Sequence, residues 1–396
     1  MKILLHVPWG IKKDFIGGTE RFVINLAKGL NSKGHEAFIV CSNIEKVIFI
    51  EGVAVNGFIP EKFRKAVKKY GYANENFIKN EILGGRVNMD SLMVFSKFVS
   101  DQIENYDYDI LHLNGFFYSL YLNENIAVPE RTVITNHETK NELINYWGQN
   151  AYSAFKRSVH SNNFLLSSSS LVVPSKYYAD EYSVLLKKNV RSIHIGVNRP
   201  QSEHLSSAND KRRKNLVILM PSRFDVHQKG HDIALRGLSI LKNRGVNFSA
   251  IFSGFDKEAY SKNYRQFFLL AKKGKILEDV VVKKFKKMAS AYGRADVVIS
   301  PERFCSYGLA ISESLSSGIQ TVLSPIPTYK EIADGYAHAH FMKKNTPHEL
   351  AAEVTNILKS GLEKNYKEAD RFNRNNKFEN CVAEYVKLYK SKLSKG

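Results

Sequence analysis

The chain has 396 residues, 43% hydrophobic and 24% charged. That excludes a disordered, collagen-like or disulfide-scaffold protein and gives room for about two to three domains. Lys and Arg number 58 against 39 Asp and Glu, a formal charge of +19, so an anionic partner is expected: nucleic acid, anionic lipid or a phosphorylated small molecule. Cys41, Cys305 and Cys381 lie far apart and form neither a disulfide framework nor a paired-Cys zinc pattern. No apolar run approaches the roughly 18 residues of a membrane span, and the opening MKILLHVPWG reads as a strand rather than a signal peptide. A cytoplasmic location is expected.

In chain order, Ile3–Val7 reads as a strand. Thr19–Ser32 has apolar residues at 22, 23, 26, 27 and 30, the spacing of a helix stopped by Gly34, and Ala37–Cys41 is a second strand. This is one βαβ unit. Strand-like runs recur at Asp109–Leu113, Thr132–Thr135, Ser170–Val173 and Ser192–Ile195. Gln201–Lys214 is almost devoid of apolar residues and reads as a linker. The alternation then restarts with a strand at Leu216–Met220, a helix at His231–Asn243 and a strand at Phe248–Phe252, followed by strands at Val280–Val282, Asp296–Ile299 and Gln320–Leu323. Such alternation predicts two α/β, doubly wound, Rossmann-like domains, 1–200 and 215–378, with a C-terminal helix over 379–396.

In open parallel sheets, ligands bind beyond the carboxyl ends of the strands, so the segments after each strand are the candidates. After the first comes Gly17-Gly18-Thr19-Glu20, opening a helix whose free N–H groups attract anions. His112, followed by Asn114, and His137 stand at two further strand ends. In the second domain Arg223 and Lys229 share one strand-to-helix loop: a planar fork and a point charge that could clamp a diphosphate, or two surface cations. Ser300–Gly318 follows a strand, passes Gly308 and enters a short helix carrying Glu313, whose carboxylate could accept hydrogen bonds from vicinal hydroxyls.

Taken in order, these motifs resemble the retaining glycosyltransferases of GT-B fold, family 4. The resembling segments are Gly17–Glu20, Thr135-Asn136-His137, Ile193–Asn198, Arg223 with Lys229, Phe252-Ser253-Gly254, Ser300–Gly318, Thr321–Ser324 and Pro327–Glu331. The resemblance implies two domains facing each other across a cleft, and transfer of a sugar from a nucleotide diphosphate sugar to an acceptor hydroxyl with retention. It implies a donor site of Gly17, Gly18, Arg223, Lys229, Gly254, Cys305, Ser306, Tyr307, Gly308, Leu309 and Glu313. Arg223, Lys229 and backbone N–H groups would stabilise the leaving diphosphate, His137 would touch the donor sugar, and Glu20, His112 and Asn114 would face the acceptor. The C-terminal stretch Val382–Leu393 would cross back to the first domain. One departure stands out: eight positions before Glu313 is Cys305, where the family's E-x7-E motif has its first Glu. Glu302 could replace that carboxylate only by a shift of the loop, and is not expected to; Cys305 is expected to be a small packing residue.

No cofactor or metal is expected, because no Asp-x-Asp motif occurs where one would be needed and the cations would replace the metal. A UDP-sugar is favoured over a GDP-sugar, and the acceptor is expected to be a glycan or a lipid-linked one in bacterial surface-polysaccharide (lipopolysaccharide or capsule) synthesis. The charge and the aromatic, lysine-rich stretch Phe58–Phe77 point to the inner face of a membrane. The rivals are a nucleic-acid-binding protein, which lacks a helix-turn-helix, zinc or RNA-binding signature, a non-catalytic sugar-nucleotide sensor, and a nucleotide-sugar epimerase, for which no acid–base pair is visible.

Overall fold

In the computed structural model the chain forms two units, Met1–Ile195 with Glu379–Gly396, and Gly196–Phe378. The structure describes residues 1–11, 17–43, 46–59, 61, 65, 89–115, 129–150, 152–153, 156–157, 170–199, 215–253, 261–285 and 287–394. The expected linker, Gly254 and nearly all of 58–77 lie outside these residues.

The first unit is an eight-stranded sheet in the order β3-β4-β2-β1-β5-β6-β7-β8. Its strands are β1 (Lys2–His6), β2 (Glu36–Cys41), β3 (Val47–Ile50), β4 (Val53–Gly57), β5 (Ile110–Asn114), β6 (Thr132–Thr135), β7 (Ser170–Val173) and β8 (Arg191–Ser192). Every neighbouring pair is parallel except β3 with β4. The central strand β1 is apolar on both faces, with Ile3, Leu4 and Leu5 wholly buried, as a sheet covered on two sides requires. The β3–β4 hairpin is missing from the sequence reading. Its turn, Glu51-Gly52, has positive φ at both residues (51° and 83°), the mirror-image turn that suits a hairpin's twist, but Glu at the first position is not its usual signal.

Helices α1 (Gly18–Ser32), α2 (Met89–Ile103), α3 (Lys140–Trp147) and α4 (Lys176–Leu186) accompany the sheet. The α1 face that carries Phe22, Val23, Leu26, Ala27 and Leu30 is buried, which is the predicted stripe. Thr139 and Glu142 close a reciprocal capping box on α3. The C-terminal helix, Phe378–Leu393, packs within this unit. Val382 lies so close to Gly29 of α1 that a Cβ there would meet it at 2.4 Å, and Arg191 pairs with Glu384 at 2.9 Å.

The second unit holds a parallel six-stranded sheet in the order β11-β10-β9-β12-β13-β14. These are β9 (Leu216–Pro221), β10 (Phe248–Ser253), β11 (Val280–Val282), β12 (Val297–Ser300), β13 (Gln320–Leu323) and β14 (Ala339–Phe341). Its helices are α5 (His231–Asn243), α6 (Ser261–Lys273), α7 (Met288–Arg294), α8 (Leu309–Ser316), α9 (Pro327–Ala333), α10 (Pro347–Ser360) and α11 (Tyr366–Asn375). Alternate residues of β9 feed separate clusters: Ile218 and Met220 pack with Phe252, Phe267, Ile299 and Leu350, whereas Leu219 packs with Tyr292, Val298 and Ile319. The first unit ends at Ile195 rather than at residue 200, because Val197 bridges to Lys377 and hydrogen-bonds Asn376 and Phe378.

Counted from its own first strand, the second sheet runs 3-2-1-4-5-6, so the chain reverses direction between β9 and β12. The loops leaving these two strands therefore meet at a switch point. There the backbones touch: Gly230 has φ of +73°, and a Cβ on it would stand 2.0 Å from the Pro301 carbonyl oxygen. Gly245 has a similar φ, +79°, with nothing within 4 Å of a Cβ. Gly245→Ala is expected to cost about 1 kcal/mol, the left-handed penalty alone, and Gly230→Ala at least about 2 kcal/mol more from the backbone clash. Denaturant unfolding followed by circular dichroism checks the difference, and equal costs would contradict the packing.

Candidate active site

In the first unit the carboxyl ends of β1, β5 and β6 gather His6, Asn114 and His137. Asn114 is wholly buried, and its Nδ2 donates to the His6 carbonyl at 3.3 Å. Its Oδ1 is therefore the acceptor that faces His137 Nε2 at 3.1 Å. This sets the tautomer: His137 donates through Nε2–H and keeps a lone pair on Nδ1. Burial pushes the His137 imidazole down to about 3, so it is neutral at pH 7. The Phe22 ring of α1 lies edge-on to it at 4.9 Å between centroids.

His112 and Asn114, expected to face an acceptor, are both wholly buried and hydrogen-bonded within the first unit. His112 is wholly buried, with Nδ1 at 2.7 Å from the Tyr389 hydroxyl and Nε2 at 2.7 Å from Thr135 Oγ1. Thr135 Oγ1 in turn lies 2.8 Å from the Tyr385 hydroxyl. Both ring nitrogens are used by the protein, and burial, with His137 nearby, drives the His112 pKa down to about 3. The two tyrosines come from the C-terminal helix, and the Tyr385 ring stacks on His112 at 5.1 Å between centroids. Asn114 is spent on orienting His137. Glu20, by contrast, is half-buried at the start of α1. Its carboxylate accepts from Trp9 Nε1 and folds over Gly17, where a Cβ would meet Oε2 at 2.5 Å. Gly17 caps α1 without a side-chain hydrogen bond, and Gly18 is exposed.

In the second unit, Arg223 and Lys229 stand on the loop after β9 and are half-buried. Asp225 Oδ1 accepts from the Gln228 N–H at 2.8 Å, closing the loop, and Gln228 Oε1 receives the Arg223 guanidinium. Lys229 Nζ lies 2.8 Å from Glu302 Oε2, with the two side chains 14% and 5% exposed. Burial alone would lower the lysine pKa; the Glu302 carboxylate, aided by Cys305, outweighs it and holds the ammonium above its ordinary value.

The loop after β12 is stitched to this one. The Arg303 N–H donates to the Gln228 carbonyl at 2.9 Å, and the Arg303 guanidinium makes a two-point pair with Asp232 at 2.8 and 2.7 Å. Asn345 Nδ2 donates to the Pro301 and Glu302 carbonyls. Cys305 is buried, its carbonyl accepting from Thr328 Oγ1 at 2.9 Å. Ser306 and Leu309 are partly exposed, whereas Tyr307 is buried with its hydroxyl accepting from the Gly196 N–H at 3.1 Å. Gly308, at φ +111°, opens α8 against the Tyr329 ring, where a Cβ would be 2.7 Å away. One turn on, Glu313 is half-buried and its Oε2 accepts from the Tyr292 hydroxyl at 3.0 Å. The sequence reading weighed Glu302 for its nearness to Cys305 and set it aside, and it did not single out Gln228 or Tyr292.

Among the described residues no three His, Cys, Asp or Glu side chains gather in a group that could hold a metal, and no helix is long and apolar enough to cross a membrane.

Comparison with known proteins gives two family matches. Residues 16–199 match the model described as Glycosyltransferase Family 4, and residues 201–377 match Glycosyl transferases group 1. The chain belongs to the GT-B glycosyltransferases. It is similar in fold to a glycosyltransferase from Rickettsia africae, at 19% identity and a TM-score of 0.68 over 100% of this chain and 99% of that one. It is similar to WaaG, a glycosyltransferase involved in lipopolysaccharide biosynthesis, at 12% identity and a TM-score of 0.71 over 98% and 99%. It is also similar to Anabaena HepE in complex with UDP and glucose, at 14% identity and a TM-score of 0.66 over 98% and 99%. No curated protein sequence matches the chain significantly.

The buried histidines give this glycosyltransferase a definite acid response. His6, held by Gln102 at 3.0 Å, is pushed by burial to about 4, and His112 and His137 to about 3. Above pH 6.5 all three are neutral folded or unfolded. As pH falls below 6.5 the unfolded chain takes up protons that the folded one refuses until pH 3–4. Stability should then fall by up to about 1.4 kcal/mol per pH unit for each histidine. Both tryptophans, Trp9 and Trp147, lie in the first unit, so urea unfolding read by tryptophan fluorescence between pH 7 and 4.5 measures it. A midpoint independent of pH would contradict the neutral buried cluster.

Proposed function

We propose that this glycosyltransferase moves a hexosyl group from a nucleotide diphosphate sugar, UDP-linked before GDP-linked, to a hydroxyl of a glycan or lipid-linked acceptor, with retention and without a metal. The observation that carries the reading is the switch point of the second unit. There the Arg223–Lys229 loop and the open N-terminus of α8 issue from adjacent strands, one turn from a carboxylate fixed by Tyr292. As the diphosphate leaves, negative charge grows on its oxygens and positive charge on the anomeric carbon. Arg223, Lys229 and the backbone N–H groups of 306–309 take up the former, where a preorganised cation does the work otherwise given to a metal. Glu313 accepts from the ribose hydroxyls, and Gly17 and Gly18, having no side chains, allow a close approach to their backbone. The neutral His137 hydrogen-bonds a sugar hydroxyl through Nδ1 rather than acting as a strong base.

The nucleotide sugar is supported by HepE, solved with UDP and glucose, and a surface-polysaccharide acceptor by the likeness to WaaG. The +19 charge fits work at the inner, anionic face of a cell membrane.

The test is thermal stabilisation by a panel of UDP, GDP and ADP compounds with chelator present. A ligand at a hundred times its dissociation constant adds about 2.7 kcal/mol. The expected outcome is a shift with UDP compounds that is lost in Arg223→Ala and Glu313→Gln. A shift with GDP compounds alone would keep the chemistry and change the donor. No shift with any nucleotide in the folded protein would defeat the reading and favour a protein that has lost its donor site.

A further inference from the structure

Glu302 has no role in the reading above, yet it places a buried carboxylate against a cation of the diphosphate clamp. We propose that Glu302 is a positioning residue for Lys229, holding the ammonium in place for the diphosphate and remaining its partner when the donor is bound; this rests on the donor-site reading. Two facts argue for a permanent partner rather than a competitor displaced by phosphate. The Glu302 backbone is fixed, its carbonyl accepting from Asn345 and the neighbouring Arg303 locked on Asp232, His227 and Gln228. The carboxylate also lies near the hydroxyl of Tyr329 of α9, which is buried and anchored to Ser300 at 3.0 Å. Lys229 has three N–H donors, of which Glu302 takes one and leaves two for phosphate oxygens.

The arrangement also gives the Cys305 departure a physical sense. The carboxylate of this site comes from three residues earlier in the loop. Cys305 faces the same lysine and tyrosine with a small side chain, and a second carboxylate at that position would repel the first. The charged and titratable groups facing Lys229 are Glu302 and Cys305 on the loop after β12, Arg223 on its own loop, and His231 at the start of α5, which burial keeps neutral at pH 7. Without Glu302, a buried ammonium would face the Arg223 guanidinium with no counter-charge, and it would lose its proton or move away.

Two measurements on Glu302→Gln test this. The first needs no ligand: acylation of Lys229 by acetic anhydride, read by mass spectrometry across pH 7 to 10.5. The variant should react at least about tenfold faster than the wild type near pH 8, the rate expected if the lysine pKa falls by a unit or more. The second is calorimetric binding of UDP, GDP and inorganic pyrophosphate. The variant should bind about tenfold more weakly and lose binding at a lower pH, and in a Lys229→Met background the same substitution should have no weakening effect. Unchanged acylation overturns the proposal, and so does tighter phosphate binding in Glu302→Gln, which would make the carboxylate a competitor. If Glu302→Gln does not fold, Glu302→Asp decides: withdrawing the carboxylate by one methylene should give acylation between wild type and fully unpaired lysine, and wild-type rates would overturn the idea. If no nucleotide binds the wild type, the donor-site reading fails while the acylation profile still judges the pairing.

Discussion

The approach of the Gly230 backbone to the Pro301 carbonyl is the constraint on which the second unit's site depends. It exists because β9 and β12 are neighbours in the sheet though β10 and β11 separate them in sequence. Only a residue without a Cβ, in a left-handed conformation, lets the two loops pass. Once they touch, Lys229 and Glu302 fall within ion-pair distance, Arg303 reaches Asp232, and the start of α8 is held beside the same loop. The Lys229–Glu302 ion pair thus depends on a steric contact.

The first unit reaches a comparable preorganisation by burial instead of charge. The His6–Asn114–His137 line is a row of neutral, mutually fixed groups, and the same unit holds the hydrogen-bonded His112–Thr135–Tyr385–Tyr389 cluster. Hydrogen bonds of this kind rigidify only when every member is satisfied. The C-terminal helix completes the cluster, so a segment far from β5 in sequence supplies partners of His112.

The two units differ in electrostatic character. Cations, an open helix N-terminus and a fixed carboxylate lie in the second unit, while the first offers an uncharged imidazole.

Much of this was legible in the sequence. The alternation of apolar runs and amphipathic stretches fixes two parallel α/β sheets, because strands covered on both faces must be apolar throughout and helices must show one apolar stripe. The motif order, from Gly17-Gly18 through Arg223 and Lys229 to Glu313, gives the family. The β3–β4 hairpin escaped because its turn lacks the usual Asn-Gly or Asp-Gly chemistry, and β14 because three half-buried residues carry little pattern. Which polar groups at the strand ends are available, and which are consumed by the protein, is a different kind of fact. His112 and His137 look alike in sequence, and Glu302 looks like an ordinary loop residue beside a missing motif carboxylate. Their roles depend on partners between 23 and 277 positions away. Local periodicity determines which elements form and in what order. The side-chain pairing at the sheet edges was decided only by the tertiary structure, since it depends on which strands become neighbours and how closely their backbones can approach.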